Sequence, residues 1–311
     1  MYLCDITAFS FWFGEYAANL HIASYPVVTS LADATAAARD VDVRALRRLG
    51  IHDAPVHVLV PDHASVRRSE QVLAHEWSGP YPDRSFVCLA PELFVESPAL
   101  CLLRSAKHLD LAQLVLRTDQ LCGAYRLVAG EVRAREPLVT MDDLAVYARA
   151  AQGMRGVKPF RRALRYACQG AASPREAALA VFLRLPISLG GCGLAPCALN
   201  EPVLFDSDGR PVRYGDVVWA LLKLILEYDS ELFHTGGEKI GRDAARRTEL
   251  EAAGWRVVTL TNWQIAHEEE LFQVIDLLRA CAGRGPLPLD DPDYLQRSRR
   301  LRRTLFGAWQ G

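Results

Sequence analysis

Hydrophobic and polar positions in residues 172–284 follow the order helix, three strands, helix, strand, helix. The strands are predicted from short, mainly apolar runs bounded by turns: Glu201–Phe205, Val212–Trp219, Leu221–Tyr228 and Arg256–Thr261. The helices are predicted from apolar positions three and four residues apart: Ala177–Leu185, Asp243–Ala253 and Gln264–Ala282. We therefore expect an α/β domain with an α-β-β-β-α-β-α core.

The start of the first helix carries a recognisable signal. In Ser173-Pro-Arg-Glu176, serine stands at the N-cap, proline at the first helical position and glutamate at the third. This spacing predicts a capping box, which gives Glu176 a structural role. A functional role for the same carboxylate remains open.

Residues 1–135 predict a smaller α+β domain. Its strands are expected at Val56–Val60, Ser85–Leu89 and Leu93–Glu96, and its helices at Glu15–Leu20, Thr35–Leu49 and Leu100–Leu116. Residues 136–171 are expected to form a helical, basic linker. Residues 285–311 are rich in proline and arginine and are expected to form a flexible basic tail.

Composition narrows the class of protein. The chain has 311 residues, of which 50% are hydrophobic and 23% charged, as expected for a globular protein with two domains. No apolar run reaches the roughly 18 residues of a membrane helix. The N-terminus lacks the basic region that begins a signal peptide and carries the acids Asp5 and Glu15, so a signal peptide is not expected. The eight cysteines are therefore expected to be reduced in a cytoplasm.

The net charge of −1 argues against a protein that is basic overall, but the basic residues are unevenly placed. Two segments are basic without interruption by acids: residues 155–175 and residues 297–303. Local patches of this kind suffice for contact with phosphates. A solvated helix face and a disordered tail explain them equally well.

Three acids of the second domain stand on or beside two neighbouring apolar runs: Asp216, Glu227 and Asp229. Two carboxylates roughly 4 Å apart repel by about 4 kcal/mol at an effective dielectric constant near 20. A divalent cation, or an added proton, makes such a cluster tolerable. Oxygen ligands favour Mg²⁺ or Mn²⁺. Strand-end acids beside basic partners are the structural alternative.

Several of these residues recur in an order that resembles a known family. The residues are Asp216, Glu227-Tyr-Asp-Ser230, His234, Asp243-Ala-Ala-Arg246 and Gly254-Trp-Arg-Val257. They resemble the PD-(D/E)XK nuclease superfamily, and in particular the branch of very-short-patch-repair endonucleases, over about residues 172–282. Asp229 stands where the superfamily has a lysine. The resemblance implies a restriction-endonuclease-like fold and a metal-dependent DNA endonuclease, in DNA repair or in defence against phages and mobile elements.

The resemblance also implies roles for individual residues. Asp216 and Glu227 would bind Mg²⁺ or Mn²⁺, Asp229 would join the metal ligands or orient water, and His234 and Glu176 would assist catalysis. DNA contacts are expected from Arg161, Arg162, Arg165, Lys239, Arg246 and Arg247. For Arg247 there is a simpler explanation, an ion pair with Asp243, which is four residues away on the same helix.

The first domain is similar to abortive-infection antitoxin-like regions through Val56-His-Val-Leu-Val60, His75-Glu-Trp-Ser-Gly79 and Leu121-Cys-Gly-Ala-Tyr125. This implies a toxin or another protein as a partner. It also leaves open a non-catalytic DNA-binding or antitoxin-like protein that keeps the nuclease fold. His57, His63 and His75 are expected to be structural.

Overall fold

The chain divides between Ala167 and Cys168 in a computed structural model, which gives a first unit, Met1–Ala167, and a second unit, Cys168–Gly311. The structure describes residues 1–307 except 19–24, 29, 32, 38–40, 53, 78, 80, 195 and 230–236. Both units combine helices with strands, as predicted. Among the described helices, none has the length and apolar character needed to cross a membrane.

A five-stranded mixed sheet forms the centre of the first unit. Its strands and those of a separate hairpin are β1 (Tyr2–Leu3), β2 (Val56–Val60), β3 (Val72–Glu76), β4 (Phe86–Ala90), β5 (Leu93–Glu96), β6 (Tyr125–Val128) and β7 (Glu131–Ala134). The sheet order is β3-β2-β1-β5-β4, with β6 and β7 paired apart from it. β2 is parallel to β3, and β1 is parallel to β5 but antiparallel to β2.

Seven α-helices are seen in the described part of the first unit. They are α1 (Asp5–Phe13), α2 (Glu15–Ala18), α3 (Val43–Arg48), α4 (Pro98–Ser105), α5 (Leu111–Leu121), α6 (Met141–Ala150) and α7 (Val157–Leu164). The run predicted as one helix from Leu100 to Leu116 is two, because Asp110 and Gln113 form a capping box that starts α5. The helix predicted from Thr35 begins only at Val43, where the Asp42 carboxylate accepts two backbone N–H groups.

The expected linker is part of the first unit. α6 packs against α4, and α7 packs against α5. Val157, Phe160 and Ala163 are buried on one face of α7, at the spacing of a helix that covers a core. The first unit is therefore the larger of the two, and the prediction of a smaller N-terminal domain followed by a separate linker is wrong.

A buried ion pair lies inside the first unit. The side chains of Glu96 and Arg104 are 0% and 4% exposed and form an ion pair. The backbone carbonyl of Glu96 also accepts the indole N–H of Trp12 at 2.7 Å. Burial raises the pKa of the Glu96 carboxyl, and the Arg104 guanidinium opposes that rise. Removal of either partner would leave a buried charge without compensation.

We predict that Arg104→Ala lowers the free energy of unfolding by about 3–5 kcal/mol, because it leaves the Glu96 carboxylate buried and unpaired. Urea denaturation measures the change. Arg133→Ala is the matched control, since Arg133 pairs with Glu131 on the surface and its loss is expected to cost less than about 1 kcal/mol. Equal losses in the two variants would contradict a structural role for the buried pair.

The second unit has a four-stranded sheet in the order β11-β10-β9-β8. Its strands are β8 (Ala198–Phe205), β9 (Pro211–Trp219), β10 (Leu224–Asp229) and β11 (Arg256–Thr261). β8, β9 and β10 are antiparallel neighbours, whereas β10 and β11 are parallel. The parallel pair requires the crossover helix between β10 and β11 that the sequence predicts.

The helices of the second unit are α8 (Pro174–Arg184), α9 (Gly237–Ala252), α10 (Asn262–Ala266), α11 (Glu268–Cys281) and α12 (Pro292–Phe306). Up to α11 their order with the strands is the predicted one. The predicted last helix is split at His267 into α10 and α11. On the α9 face of the sheet, Val218 and Ile225 pack with Leu250 of α9 and with Trp255.

The predicted flexible tail contains an ordered helix. α12 begins after Asp291, with Pro292 in its first turn, and packs against α8. Tyr294, Leu301 and Leu305 are buried along one side of it. Five of the other positions are arginines, which explains why composition alone indicated a solvated tail. The prediction was wrong for Pro292–Phe306.

We predict that Leu305→Ala lowers the unfolding free energy of the second unit by about 2–5 kcal/mol, because the side chain is buried against the core. Thermal or urea unfolding measures the loss. Leu289→Ala removes the same atoms from a residue that is 38% exposed, and we expect a change below about 1 kcal/mol. A loss at Leu305 no larger than at Leu289 would show that α12 does not stabilise the unit.

Candidate functional site

Asp216 and Glu227 stand where the ladder between β9 and β10 ends. Val218 of β9 pairs with Ile225 of β10, and both side chains belong to the core beneath α9. Glu227 is two residues after Ile225 and so shares that face. The alternation of β9 is interrupted just before Asp216, since a Cβ atom on Gly215 would also meet Val218 and Ile225. The last pair of the ladder is Leu226 with Val217. One further step of the same register would place Asp216 opposite Glu227.

Where the β9–β10 ladder ends, the Asp216 carboxylate takes the place of a backbone carbonyl as hydrogen-bond acceptor for β10. Its Oδ2 atom accepts the backbone N–H of Tyr228 at 2.7 Å. Burial raises the pKa of the Asp216 carboxyl, and repulsion from Glu176 adds to the rise. The Tyr228 N–H and the Arg246 guanidinium act in the opposite direction. Asp216 is thus an acid held partly out of water beside a second acid.

Gly215 lets the core approach Asp216 closely. A Cβ atom at this position would lie 2.7 Å from a methyl group of Val218 and 2.9 Å from a methyl group of Ile225. Separations below 3 Å require the core to move. Glycine therefore keeps the strand against its neighbour at the residue before the acid.

Glu227 is paired with Arg246 of α9. Nη2 of Arg246 lies 3.0 Å from each carboxylate oxygen of Glu227, and it also donates to the carbonyl of Tyr214 at 2.8 Å. The side chains of Glu227 and Arg246 are 18% and 39% exposed. Arg246, expected to contact phosphate, thus connects α9 to β9 and β10 and offsets the charge of Glu227.

Glu176 combines a helix cap with a contact to β8. Its carboxylate accepts the backbone N–H of Ala172 at 2.9 Å, the Ser173 hydroxyl at 3.0 Å and the side-chain N–H of Asn200 at 2.8 Å. The Ser173 hydroxyl accepts the N–H of Glu176. In a capping box the glutamate would accept the backbone N–H of the N-cap residue, Ser173. Here it accepts the backbone N–H of Ala172, one residue earlier. Glu176 is therefore engaged structurally on both oxygens.

Asn200 extends the row of polar residues across the sheet. The pairs that flank it in the β8–β9 ladder are Leu199 with Val217 and Glu201 with Gly215, so the position opposite Asn200 is Asp216. Its φ of 49° is in the left-handed region, which asparagine tolerates better than most residues. Its side-chain N–H also donates to the carbonyl of Gly170 at 2.8 Å.

A second group of polar side chains surrounds Tyr228. Its hydroxyl donates to Oδ1 of Asn262 at 2.5 Å and is also hydrogen-bonded to Arg175. Burial raises the pKa of this phenol, and the nearby guanidinium of Arg175 opposes the rise. None of these three residues was a predicted site residue. Asn262 directly follows β11, whose carboxyl end lies beside that of the parallel β10. This position in the sequence could have predicted that Asn262 lies near the acids of β10.

The three predicted metal ligands do not form a compact group. Among the described residues, the group of His, Cys, Asp and Glu side chains whose ligand atoms lie within 4.8 Å of one another is Asp5, His57 and His75. Asp216, Glu227 and Asp229 do not make up a second group of this kind. The Asp216 carboxylate is turned to a backbone N–H, and that of Glu227 to Arg246.

Most of the remaining predicted residues of the second unit cannot be placed, because they or their side chains lie outside the described part of the structure. His234 lies outside the described residues, as do the side chains of Lys239 and Asp243. Arg247 pairs with Glu251 at 2.9 Å, so an intrahelical ion pair exists with a partner other than the expected one.

Three predicted DNA contacts belong to α7 or follow it, in the first unit. Nε and Nη2 of Arg161 donate to the carbonyl of Ala148 at 3.1 and 2.7 Å, so this side chain connects α7 to α6. Arg162 and Arg165 are exposed. The predicted contact set is therefore divided between the two units.

A basic cleft of about 540 Å³ lies in the second unit. Its lining includes Arg175 of α8, Asn262 of α10 and, on α12, Arg299, Arg302, Arg303 and Phe306. Glu268 pairs with Arg299 at 2.7 Å and with Arg302 at 2.9 Å. One carboxylate thus faces several guanidinium groups, and Arg175 and Asn262 connect the cleft to Tyr228.

No protein-family model, no curated protein and no solved structure matches this chain. The chemistry of the site is therefore inferred from its own geometry.

We predict that Asp216→Asn makes the protein more stable than the wild type at pH 7. The folded-state pKa of Asp216 is raised above its ordinary value of 3.8, so the unfolded chain ionises first and the wild type loses stability as the pH rises through that window. Below the window the carboxyl is neutral in both states. The gain should therefore shrink towards pH 3, as followed by urea denaturation across pH.

Asp208→Asn is the control, since Asp208 lies in an exposed turn and its side chain is 66% exposed. It should give no comparable gain. A less stable Asp216→Asn protein, or a gain that does not change with pH, would contradict the account of this acid.

Proposed function

We propose that the second unit is a metal-dependent DNA endonuclease that hydrolyses phosphodiester bonds. The observation that carries this proposal is the position of Asp216, a partly buried acid with a raised pKa that is repelled by Glu176 and is the next position in register with Glu227 after the last ladder pair. Acids that repel one another destabilise a fold unless a cation or a proton compensates them. Functional sites are where such arrangements concentrate.

The donor set suits Mg²⁺ or Mn²⁺. Asp216 and Glu227 would hold the ion, because both offer carboxylate oxygens where the β9–β10 ladder ends and these ions prefer hard oxygen ligands. Arg246 provides the positive charge at Glu227, and its side chain would have to leave Glu227 when an ion binds. A bound ion would polarise the scissile phosphate and lower the pKa of a water molecule.

The other residues of the site have supporting roles in this proposal. Asp229 is two residues after Glu227 on β10 and so shares its face, where it would orient the attacking water. Glu176 and Asn200 would fix the position of Asp216 from the neighbouring elements. The part of His234 in proton transfer remains a prediction.

The basic cleft supports a nucleic-acid substrate. Arg175 and Arg303 would receive backbone phosphates, while Arg299 and Arg302 are shared with Glu268. Arg175 reaches the hydroxyl of Tyr228, the residue between the two acids Glu227 and Asp229. The order of helices and strands from α8 to α11 is also the one expected for the nuclease superfamily that the sequence resembles.

A non-catalytic DNA-binding or antitoxin-like protein is the second candidate. The ion pair of Glu227 with Arg246 favours it, because this pair neutralises one acid without any ion. In such a protein the basic cleft would bind nucleic acid, and the acids would only make local contacts, Asp216 with the Tyr228 N–H and Glu227 with Arg246.

We predict that the wild type relaxes supercoiled plasmid in Mg²⁺ or Mn²⁺, and that Asp216→Asn and Glu227→Gln each lower the rate at least about 100-fold, since each removes an anionic metal ligand. Glu249→Gln is the matched control. It removes an acid from α9 that pairs with Arg213 on the surface, and it should cleave like the wild type.

Equal trace cleavage by the wild type and both site variants would exclude the endonuclease. A gel shift that weakens with salt and persists in all of these proteins, without cleavage, would instead support the binding protein.

A further inference from the structure

Two histidines and an aspartate of the first unit lie together at the surface of its sheet. Nε2 of His75 lies 3.0 Å from Nδ1 of His57 and 4.0 Å from a carboxylate oxygen of Asp5. All three ligand atoms lie within 4.8 Å of one another. The side chains of His75 and Asp5 are 27% and 34% exposed, so solvent reaches the group.

The fold brings these residues from three separate elements. His57 lies on β2 and His75 on β3, and the parallel register pairs Leu59 with His75, two residues beyond His57. Both imidazoles therefore point to the same face of the sheet. Asp5 is the first residue of α1, directly after β1 and Cys4.

Asp5 is held in an unusual backbone conformation. Its φ is 52°, in the left-handed region that costs most residues about 1–2 kcal/mol. Its N–H donates to a carboxylate oxygen of Glu96 at 3.2 Å, and Glu96 is fixed by the buried ion pair with Arg104. The interior of the unit thus holds the Asp5 backbone where its side chain faces the two imidazoles.

We propose that Asp5, His57 and His75 bind a divalent transition-metal ion of the Zn²⁺ or Co²⁺ type. Tetrahedral ligand atoms about 2.0–2.2 Å from one ion lie roughly 3.3–3.6 Å apart. The separations of 3.0 Å and 4.0 Å at His75 lie on either side of this range. Imidazole with carboxylate is a common donor set for these ions. Three protein ligands leave at least one coordination position for water or for an added ligand.

The contact between the two imidazoles requires different proton positions with and without a bound ion. Without an ion, one ring N–H donates to the lone pair of the other ring. With an ion, both of these nitrogens must present lone pairs, and the shared proton moves to the far nitrogen of one ring. Each neutral imidazole carries one N–H and one lone pair, so both rings can bind the ion without losing a proton.

The surrounding charges are balanced before an ion binds. Arg104 and Lys107 act on His75 as positive charges, whereas Asp5 acts on it as a negative charge. The charge of Arg104 is already compensated by Glu96. Asp5 is therefore the acid that would offset the charge of the ion. Its substitution by a neutral residue should weaken ion binding.

The test uses the full chain with Asp216→Ala and Glu227→Ala, so that the proposed site of the second unit contributes no ligands. Titration calorimetry with Zn²⁺, and the visible absorbance of Co²⁺, measure the stoichiometry and the affinity. We expect one equivalent per chain. His75→Ala, His57→Gln and Asp5→Asn should each weaken binding at least about tenfold.

Asp5→Asn keeps the test valid if a histidine variant fails to fold, because asparagine also tolerates a positive φ. His63→Gln is the control, since His63 is 92% exposed, lies outside the cluster and should leave binding unchanged. Absence of stoichiometric binding, or the same affinity in all variants, would overturn the proposal. So would a strong thiolate charge-transfer band of Co²⁺, which would place the ion on cysteine.

Discussion

The second unit depends on the point at which the ladder between β9 and β10 ends. Up to Val217 and Leu226 the two strands exchange backbone hydrogen bonds, and beyond that pair the Asp216 carboxylate binds the backbone of β10 instead. The buried apolar pairs before this point fix where along the two strands both acids stand. The β8–β9 register places the asparagine of β8 opposite the first of these acids.

The two units use buried charge in different ways. In the first, Glu96 and Arg104 compensate each other inside the core, and the pair holds the backbone of Asp5 beside two imidazoles. In the second, compensation of Asp216 is incomplete, because Arg246 is bound to Glu227 and Glu176 adds negative charge.

Local patterns predicted much of the fold but not its contacts. Apolar runs and alternation located β2, β10 and β11, since strand burial leaves a direct trace in sequence. α12 was missed although Tyr294, Leu301 and Leu305 have helical spacing, because the arginines between them dominate its composition. The pair of Arg246 with Glu227 depends on how α9 lies over the sheet, and the contact of His57 with His75 depends on parallel pairing. Neither can be found from spacing along the chain.

In the proposed endonuclease, Asp216 and Glu227 share one divalent cation. A crystal structure of the protein soaked in Mn²⁺, with anomalous diffraction data, tests this shared site. We expect an anomalous peak within coordination distance of oxygens of both residues, with the Arg246 guanidinium displaced from Glu227. No peak at this position, with Arg246 still bound to Glu227 at saturating Mn²⁺, would rule out a shared ion.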